Sequence, residues 1–282
     1  MIIQRLFVLC ACFLAPQHTI LMTMNFQIIV GLVVSSSFLS VAFSQNCSTP
    51  DICGNDESTS YPEAPIMATL RDREAMVNIH NAFRSKLAKG FQLDRLGRRN
   101  PPGRNMYKLA WDNYLEREAQ AWSNRCVFQH SSSSQRSGAG ENLFAQSGRP
   151  MDAYSNFLAA AKSWWSEANT AWTARANNRF TGADMRAGHF TQMAWGKTYK
   201  IGCGVSACRG IFGSHVAAYV VCRYVYAGNY MNAPVYEPGR PCTGSSACST
   251  AIASRCEASS GLCVIQRSET RPYVLQENIF AP

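Results

Sequence analysis

The chain has 282 residues, 46% of them apolar and 16% charged, with a formal net charge of +9 and 12 cysteines. That apolar fraction excludes an intrinsically disordered chain and gives material for one or two domains with a sizeable core. No Cys-x-x-Cys occurs, which argues against zinc ribbons and thioredoxin-like redox sites, and no repeats or nucleic-acid motifs are present.

Two apolar runs open the chain, Leu6 to Leu14 and Phe26 to Phe43, and Arg5 is the only charged residue before Gln45. Ala42-Phe43-Ser44 places small residues where signal peptidase reads, so residues 1–44 are expected to be a removed signal peptide. Met22 and Met24 are alternative starts, and an uncleaved anchor is the competing reading. Cleavage removes Cys10 and Cys12 and leaves an even ten cysteines, which implies five disulfides and an oxidising, extracellular compartment. Asn46-Cys47-Ser48 is a glycosylation sequon.

Residues 45–72 are polar and proline-bearing, and are expected to form an arm closed by a Cys47–Cys53 loop. Helical periodicity starts near Arg73 and puts Met76, Ile79, Phe83 and Leu87 on one face. Much of the basic excess then falls between Arg84 and Lys108, in the run from Lys89 to Arg104, which is read as a solvated loop with a tendency toward anionic surfaces or glycans. Asp112 can cap a second helix that turns Leu115, Ala119, Trp122 and Cys126 inward. His130 follows, then a serine run expected to be a mobile surface loop, then Gly140-Glu141-Asn142-Leu143.

A third helix is expected from Asn156 to Ala168, with Phe157, Ala160, Ala161, Trp164 and Ala168 on its apolar side. Glu167 stands in its last turn, where it opposes the helix dipole and needs a compensating partner if buried. The stretch from Gly188 to Cys208 reads as a short helix entered at His189 that becomes a cysteine-bearing strand. Taken alone, His189 is a hydrogen-bonded structural histidine. Strands are expected at Ile201 to Val205 and His215 to Tyr226. Helices interspersed with short strands define an α+β class, a sandwich of helices around a small sheet. After Pro234 the composition changes: Pro238 to Pro241 reads as a linker, and Cys242, Cys248, Cys256 and Cys263 follow with almost no apolar residues to make a core. Residues 264–282 read as a loosely ordered tail.

The segments Gly188–Cys208 and Tyr219–Tyr230 resemble the two signatures of the CAP superfamily, the cysteine-rich secretory, antigen 5 and pathogenesis-related 1 (SCP/TAPS) proteins. His80-Asn81-Ala82-Phe83-Arg84 is similar to the His-Asn-x-x-Arg of that family's first helix, where His80 has a structural role. The cysteine and motif pattern is most similar to nematode secreted SCP-domain, venom allergen-like proteins. The resemblance implies a three-layer α-β-α CAP sandwich over residues 73–235, followed by a small cysteine-rich hinge module over 236–263. It implies Cys126–Cys208 and Cys203–Cys222 bridges, and Cys242–Cys256 and Cys248–Cys263 are expected within the hinge. A further family bridge falls at Ala139 and Val225, where both cysteines are absent together. Tyr114 stands where some hookworm relatives carry a cysteine.

The resemblance also implies a cleft with two histidines and two glutamates: His130, Glu141, Glu167 and His189. Their spacing fits no local metal motif. The chemistry suits a low-affinity divalent site, Zn²⁺ foremost, because neutral imidazoles ligate zinc and a carboxylate can orient an imidazole or activate a bound water. The implied function is that of a secreted protein, not an enzyme, that binds an extracellular protein or a lipid such as a sterol or fatty acid, with a host-directed role. A monomer or weak dimer is expected, and no nucleic acid. Two readings compete: a metal-dependent hydrolase, for which no Gly-x-Ser-x-Gly elbow is present, and a structural matrix or cuticle component.

Overall fold

Residues 62–148, 152–251 and 253–266 are described by the computed structural model. In chain order they form β1 (Pro62–Ile66), α1 (Leu70–Ala88), β2 (Gly103–Arg104), β3 (Ala110–Trp111), α2 (Asn113–Ser123), β4 (Gly140–Ser147), α3 (Ala153–Thr170), α4 (Gly188–Ala194), β5 (Lys200–Gly210), β6 (Gly213–Val225), β7 (Glu237–Pro238), β8 (Ser254–Glu257) and β9 (Leu262–Ile265). The first helix starts earlier than its apolar periodicity indicates. Asp72 N–H donates to Thr69 Oγ1 while Thr69 N–H donates to Asp72 Oδ2, a reciprocal cap that fixes the start at Leu70. Asp112 caps α2 as expected, accepting from the Tyr114 and Leu115 amides. Among the described residues no helix is long and apolar enough to cross a membrane.

The main sheet runs β1-β5-β6-β4, with β3 pairing alongside β5. All pairs are antiparallel except β3 with β5. β1 uses the last residues of the segment read as an arm, which therefore add an edge strand. Strand alternation divides the buried residues between two faces. Ile201, Cys203, Val205, Ala218, Val220, Cys222 and Tyr224 join the core built with α1, α3 and α4. Tyr219, Val221, Leu143 and Cys208 join Ala119 and Trp122 of α2 on the other side. The chain is thus a three-layer α-β-α sandwich. Gly202 and Gly204 set the second interface, because a Cβ at either would lie 2.2 or 2.3 Å from the α2 backbone at Glu116 or Gln120. The Gly-Cys-Gly pattern lets a helix rest directly on the strand.

All four disulfides expected within the described residues form: Cys126–Cys208, Cys203–Cys222, Cys242–Cys256 and Cys248–Cys263. Ala139 and Val225, the positions of the missing family bridge, are buried in one shared apolar cluster. The signal peptide 1–44, the sequon, Cys47, Cys53 and the tail beyond residue 266 lie outside the described residues.

The hinge segment holds its own disulfides, as expected, and also packs on the sandwich, so that all the described residues belong to one compact unit. Leu262 is fully buried in the main core, and the Cys263 backbone bonds to Met106 and Lys108. Lys108 also pairs with Glu257 at 2.8 Å. The arginines of the run from Lys89 to Arg104 are exposed, as expected, whereas the arginine that ends the His-Asn-x-x-Arg match on α1 is not. Arg84 is fully buried and donates to the carbonyls of Tyr107, Met193, Trp195, Gly196 and Thr198, tying α1 to the turn between α4 and β5. A buried guanidinium requires such a set of acceptors.

Candidate functional site

Glu167 finds the partner its position in α3 calls for. Its Oε2 accepts the backbone N–H groups of His189 and Phe190, both at 3.0 Å, and its Oε1 meets His189 Nδ1 at 2.6 Å. A carboxylate disfavoured by the end of its own helix is thus satisfied by the first amides of the next one. The His189 ring stacks on Trp164 with centroids 6.1 Å apart, which fixes its plane.

Glu141 makes the second pair from β4. Its Oε1 meets His130 Nδ1 at 3.0 Å and accepts Ser131 N–H at 2.9 Å, while its Oε2 accepts the Ser131 hydroxyl at 2.7 Å. Arg223, directly opposite Glu141 in the β4–β6 register, brings its Nε to 3.6 Å from Oε2. Burial pushes the Glu141 carboxyl up, but hydrogen bonds from His130 and Ser131 and the charge of Arg223 outweigh it and hold it below the usual glutamate range. The serine run is therefore not wholly a mobile loop: Ser131 is buried and fastens the loop to the carboxylate, and Arg136 donates to its carbonyl. Tyr219 Oη and Arg223 Nε are buried without hydrogen-bond partners among the described residues.

Asn142, next to Glu141, donates to the His189 carbonyl at 3.2 Å, so one edge strand is tied to both pairs. Asn142 also donates to Tyr224 Oη, whose hydroxyl in turn reaches His80 Nε2 at 3.1 Å. His80 Nδ1 donates to the Met76 carbonyl, and in the neutral ring Nε2 accepts from the Tyr224 hydroxyl. Burial, ahead of the Arg84 charge, pushes the His80 pKa down to about 4, in keeping with its expected structural role.

The four sequence-selected residues thus form two His–Glu pairs. The carboxylates lie inside, with 1% and 20% side-chain exposure for Glu141 and Glu167, and the imidazoles outside, at 56% and 35% for His130 and His189. Each Nδ1 is held by a carboxylate, so that in a neutral ring the lone pair lies on Nε2, which has no hydrogen-bond partner among the described residues. Each pair thus presents one imidazole nitrogen of the kind that ligates a metal. Among the described residues, the trio of metal-type side chains with ligand atoms all within 4.8 Å is Cys242, Cys248 and Cys256. All three are in disulfides and offer no thiolate unless reduced. Sequence reasoning missed Ser131 and Arg223. Ser131 adjoins His130 in sequence, but Arg223 is found only through the pairing of β4 with β6.

The sandwich and these pairs define a recognisable class. Residues 77–224, just over half of the chain, match the family described as CAP: Cysteine-rich secretory protein family, and the chain belongs to that family. It is 33% identical over 216 residues to the Ancylostoma secreted protein of Ancylostoma caninum, a match covering 74% of this chain and 48% of that protein, so it spans about half the length of that relative. It is 34% identical over 171 residues to Venom allergen 5.02 of Dolichovespula maculata, covering 59% of this chain and 76% of that one. Among solved structures it is similar to BmVAL-1, with a TM-score of 0.64, 38% identity and coverage of 72% of this chain and 98% of that one. It is also similar to NaASP2, whose structure was solved with Zn²⁺, with a TM-score of 0.62, 35% identity and coverage of 72% and 99%. The chain is a secreted, disulfide-bonded, venom allergen-like CAP-domain protein.

Proposed function

We propose that the protein acts outside the cell by binding a protein or a lipid such as a sterol or fatty acid, and that His130 and His189 hold a divalent metal, Zn²⁺ foremost. The observation that carries the metal reading is the orientation of both imidazoles: carboxylates behind them engage Nδ1 and leave Nε2 to solvent. Glu141 and Glu167 then serve as orienting partners, the arrangement that raises ligand basicity and fixes the tautomer. The relative solved with Zn²⁺ supports the choice of ion. Two protein nitrogens are fewer than the three protein ligands usual in catalytic zinc sites, so affinity is modest and solvent completes the shell. A bound ion would act as a Lewis acid on that solvent or on a ligand oxygen. The binding half of the reading rests on family membership and the absence of a nucleophile elbow in the sequence.

Titration calorimetry with Zn²⁺ on the wild type and on the His130→Ala, His189→Ala double variant tests the site. Loss of binding in the variant is the expected result. Equal binding by both proteins overturns the assignment. Mass spectrometry of material co-purified with the secreted protein then tests the partner class.

A further inference from the structure

The segment from Phe91 to Asn100 is unusual in which side chains it buries. Gln92, Asp94 and Asn100 are buried, while Phe91, Leu93 and Leu96 are exposed at 53%, 42% and 54%. The buried polar groups are anchors. Gln92 accepts from Trp165 Nε1 at 2.8 Å and donates to Asn169 Oδ1 at 3.0 Å, and Asn100 Oδ1 accepts from Trp172 Nε1 at 2.8 Å. Asp94 accepts from the amides of Leu96, Arg98 and Ala174. Leu93 bridges to Arg99 across a turn closed at Gly97, where φ is +72°. The result is a fixed hairpin seated on the C-terminal end of α3, with an apolar outer edge.

Its cations lie along the same edge. Arg98 is neutralised by Asp94 at 2.8 Å, but Arg99 lies 5.5 Å over the Phe91 ring and Arg95 donates to the Thr173 hydroxyl. Neither Arg95 nor Arg99 pairs with a carboxylate among the described residues. Single exposed apolar residues need no explanation, but three large ones within six residues, beside two arginines without carboxylate partners, mark an interaction surface.

We propose that this hairpin docks the protein on an anionic lipid surface, with Phe91, Leu93 and Leu96 entering the boundary between headgroups and acyl chains and Arg95 and Arg99 facing the anionic headgroups. Apolar side chains alone would suit a protein partner, and arginines alone a sulfated glycan. The two together match a partner that is anionic outside and apolar immediately beneath. Because the backbone is already fixed by its anchors, docking carries little ordering cost. The docking edge shares no residue with the His–Glu pairs and stands or falls independently of the metal reading.

The test is flotation of the full secreted chain with vesicles of phosphatidylcholine, alone or mixed with phosphatidylserine. The wild type should partition onto the mixed vesicles and less so as salt is raised. Phe91→Ser, Leu93→Ser and Leu96→Ser together should lower partitioning by about tenfold or more, since the apolar contribution scales with buried area. Arg95→Ser with Arg99→Ser should produce a loss of about tenfold or more and flatten the salt dependence. The His130→Ala, His189→Ala variant should float like the wild type. A single Leu96→Trp variant guards against misfolding of the multiple ones: its fluorescence should shift to the blue when mixed vesicles are added. Undiminished flotation of the triple apolar variant, retention on heparin without flotation, or a Leu96→Trp emission that vesicles leave unchanged overturns the proposal.

Discussion

Glu141→Gln separates charge from shape at the base of the site. Glutamine keeps the volume but turns one carboxylate oxygen into an NH₂ group. If that group replaces Oε1 it faces His130 Nδ1 and the Ser131 N–H, and if it replaces Oε2 it faces the Ser131 hydroxyl and the Arg223 guanidinium. Either orientation sets donors against donors. Losing a charged hydrogen bond is worth about 1.5–3 kcal/mol, and removing one member of a buried ion pair about 3–5 kcal/mol. Arg223 retains Glu118 at 3.3 Å and the Gln135 carbonyl at 3.2 Å, so the lower end applies, about 3 kcal/mol at neutral pH. The folded-state pKa of Glu141 is depressed, so its contribution is full above the ordinary glutamate value of 4.5 and is lost as pH falls through the folded pKa beneath it. Denaturant unfolding of both proteins, without reductant, at pH 7 and in steps below pH 4.5 should show a gap that narrows on acidification. A gap below about 1 kcal/mol at pH 7, or one that widens in acid, refutes the reasoning. The same variant should bind Zn²⁺ about tenfold more weakly by calorimetry, because His130 loses its orienting carboxylate.

His80→Asn should flatten the acid sensitivity of the fold between pH 6.5 and 4. The wild-type ring is neutral when folded and protonates more readily when unfolded, so acidification across that window costs the wild type up to about 3 kcal/mol, measurable by denaturation at several pH values. Leu262→Ala should destabilise the whole unit by about 2–5 kcal/mol in denaturant titration, and truncation after Pro238 should do at least as much harm, because the hinge fills part of the main core. Unchanged midpoints would return the hinge to the status of an independent module. Gly202→Ala should lower the unfolding midpoint through at least about 1–3 kcal/mol of overpacking, since the new methyl meets the backbone of α2, while Gly97→Ser, where open space surrounds the added Cβ, should be affected by its φ of +72° alone.

Much of the architecture was legible in the sequence because it rests on local patterns. The spacing of Phe157, Ala160, Ala161, Trp164 and Ala168 set one helical face, Asp112 announced its helix, and α3 and β6 fall close to the residues expected for them. Two signatures and the cysteine order carried the family, and with it four disulfides and the four residues of the two His–Glu pairs. Even the need of Glu167 for a partner followed from its place at the end of a helix. The identity of that partner did not: the His189 and Phe190 amides lie in another helix, and only packing of α4 on α3 brings them to the carboxylate. The same holds for Arg223, placed across from Glu141 by a strand register that no spacing reveals, and for Ser131, drawn out of a polar run by a buried charge. Arg84 and Leu262 make the point from opposite directions. Neither an arginine at the end of a helix beside a basic run nor a lone leucine in a cysteine-rich segment carries a local signal for burial. Tertiary structure buries both, because the carbonyls of the α4–β5 turn satisfy the guanidinium and the main core has room for one more apolar side chain. Sequence determines which residues favour helix, strand, cap or bridge, and long-range packing decides which charges and side chains meet, since those energies depend on distances that local spacing does not encode.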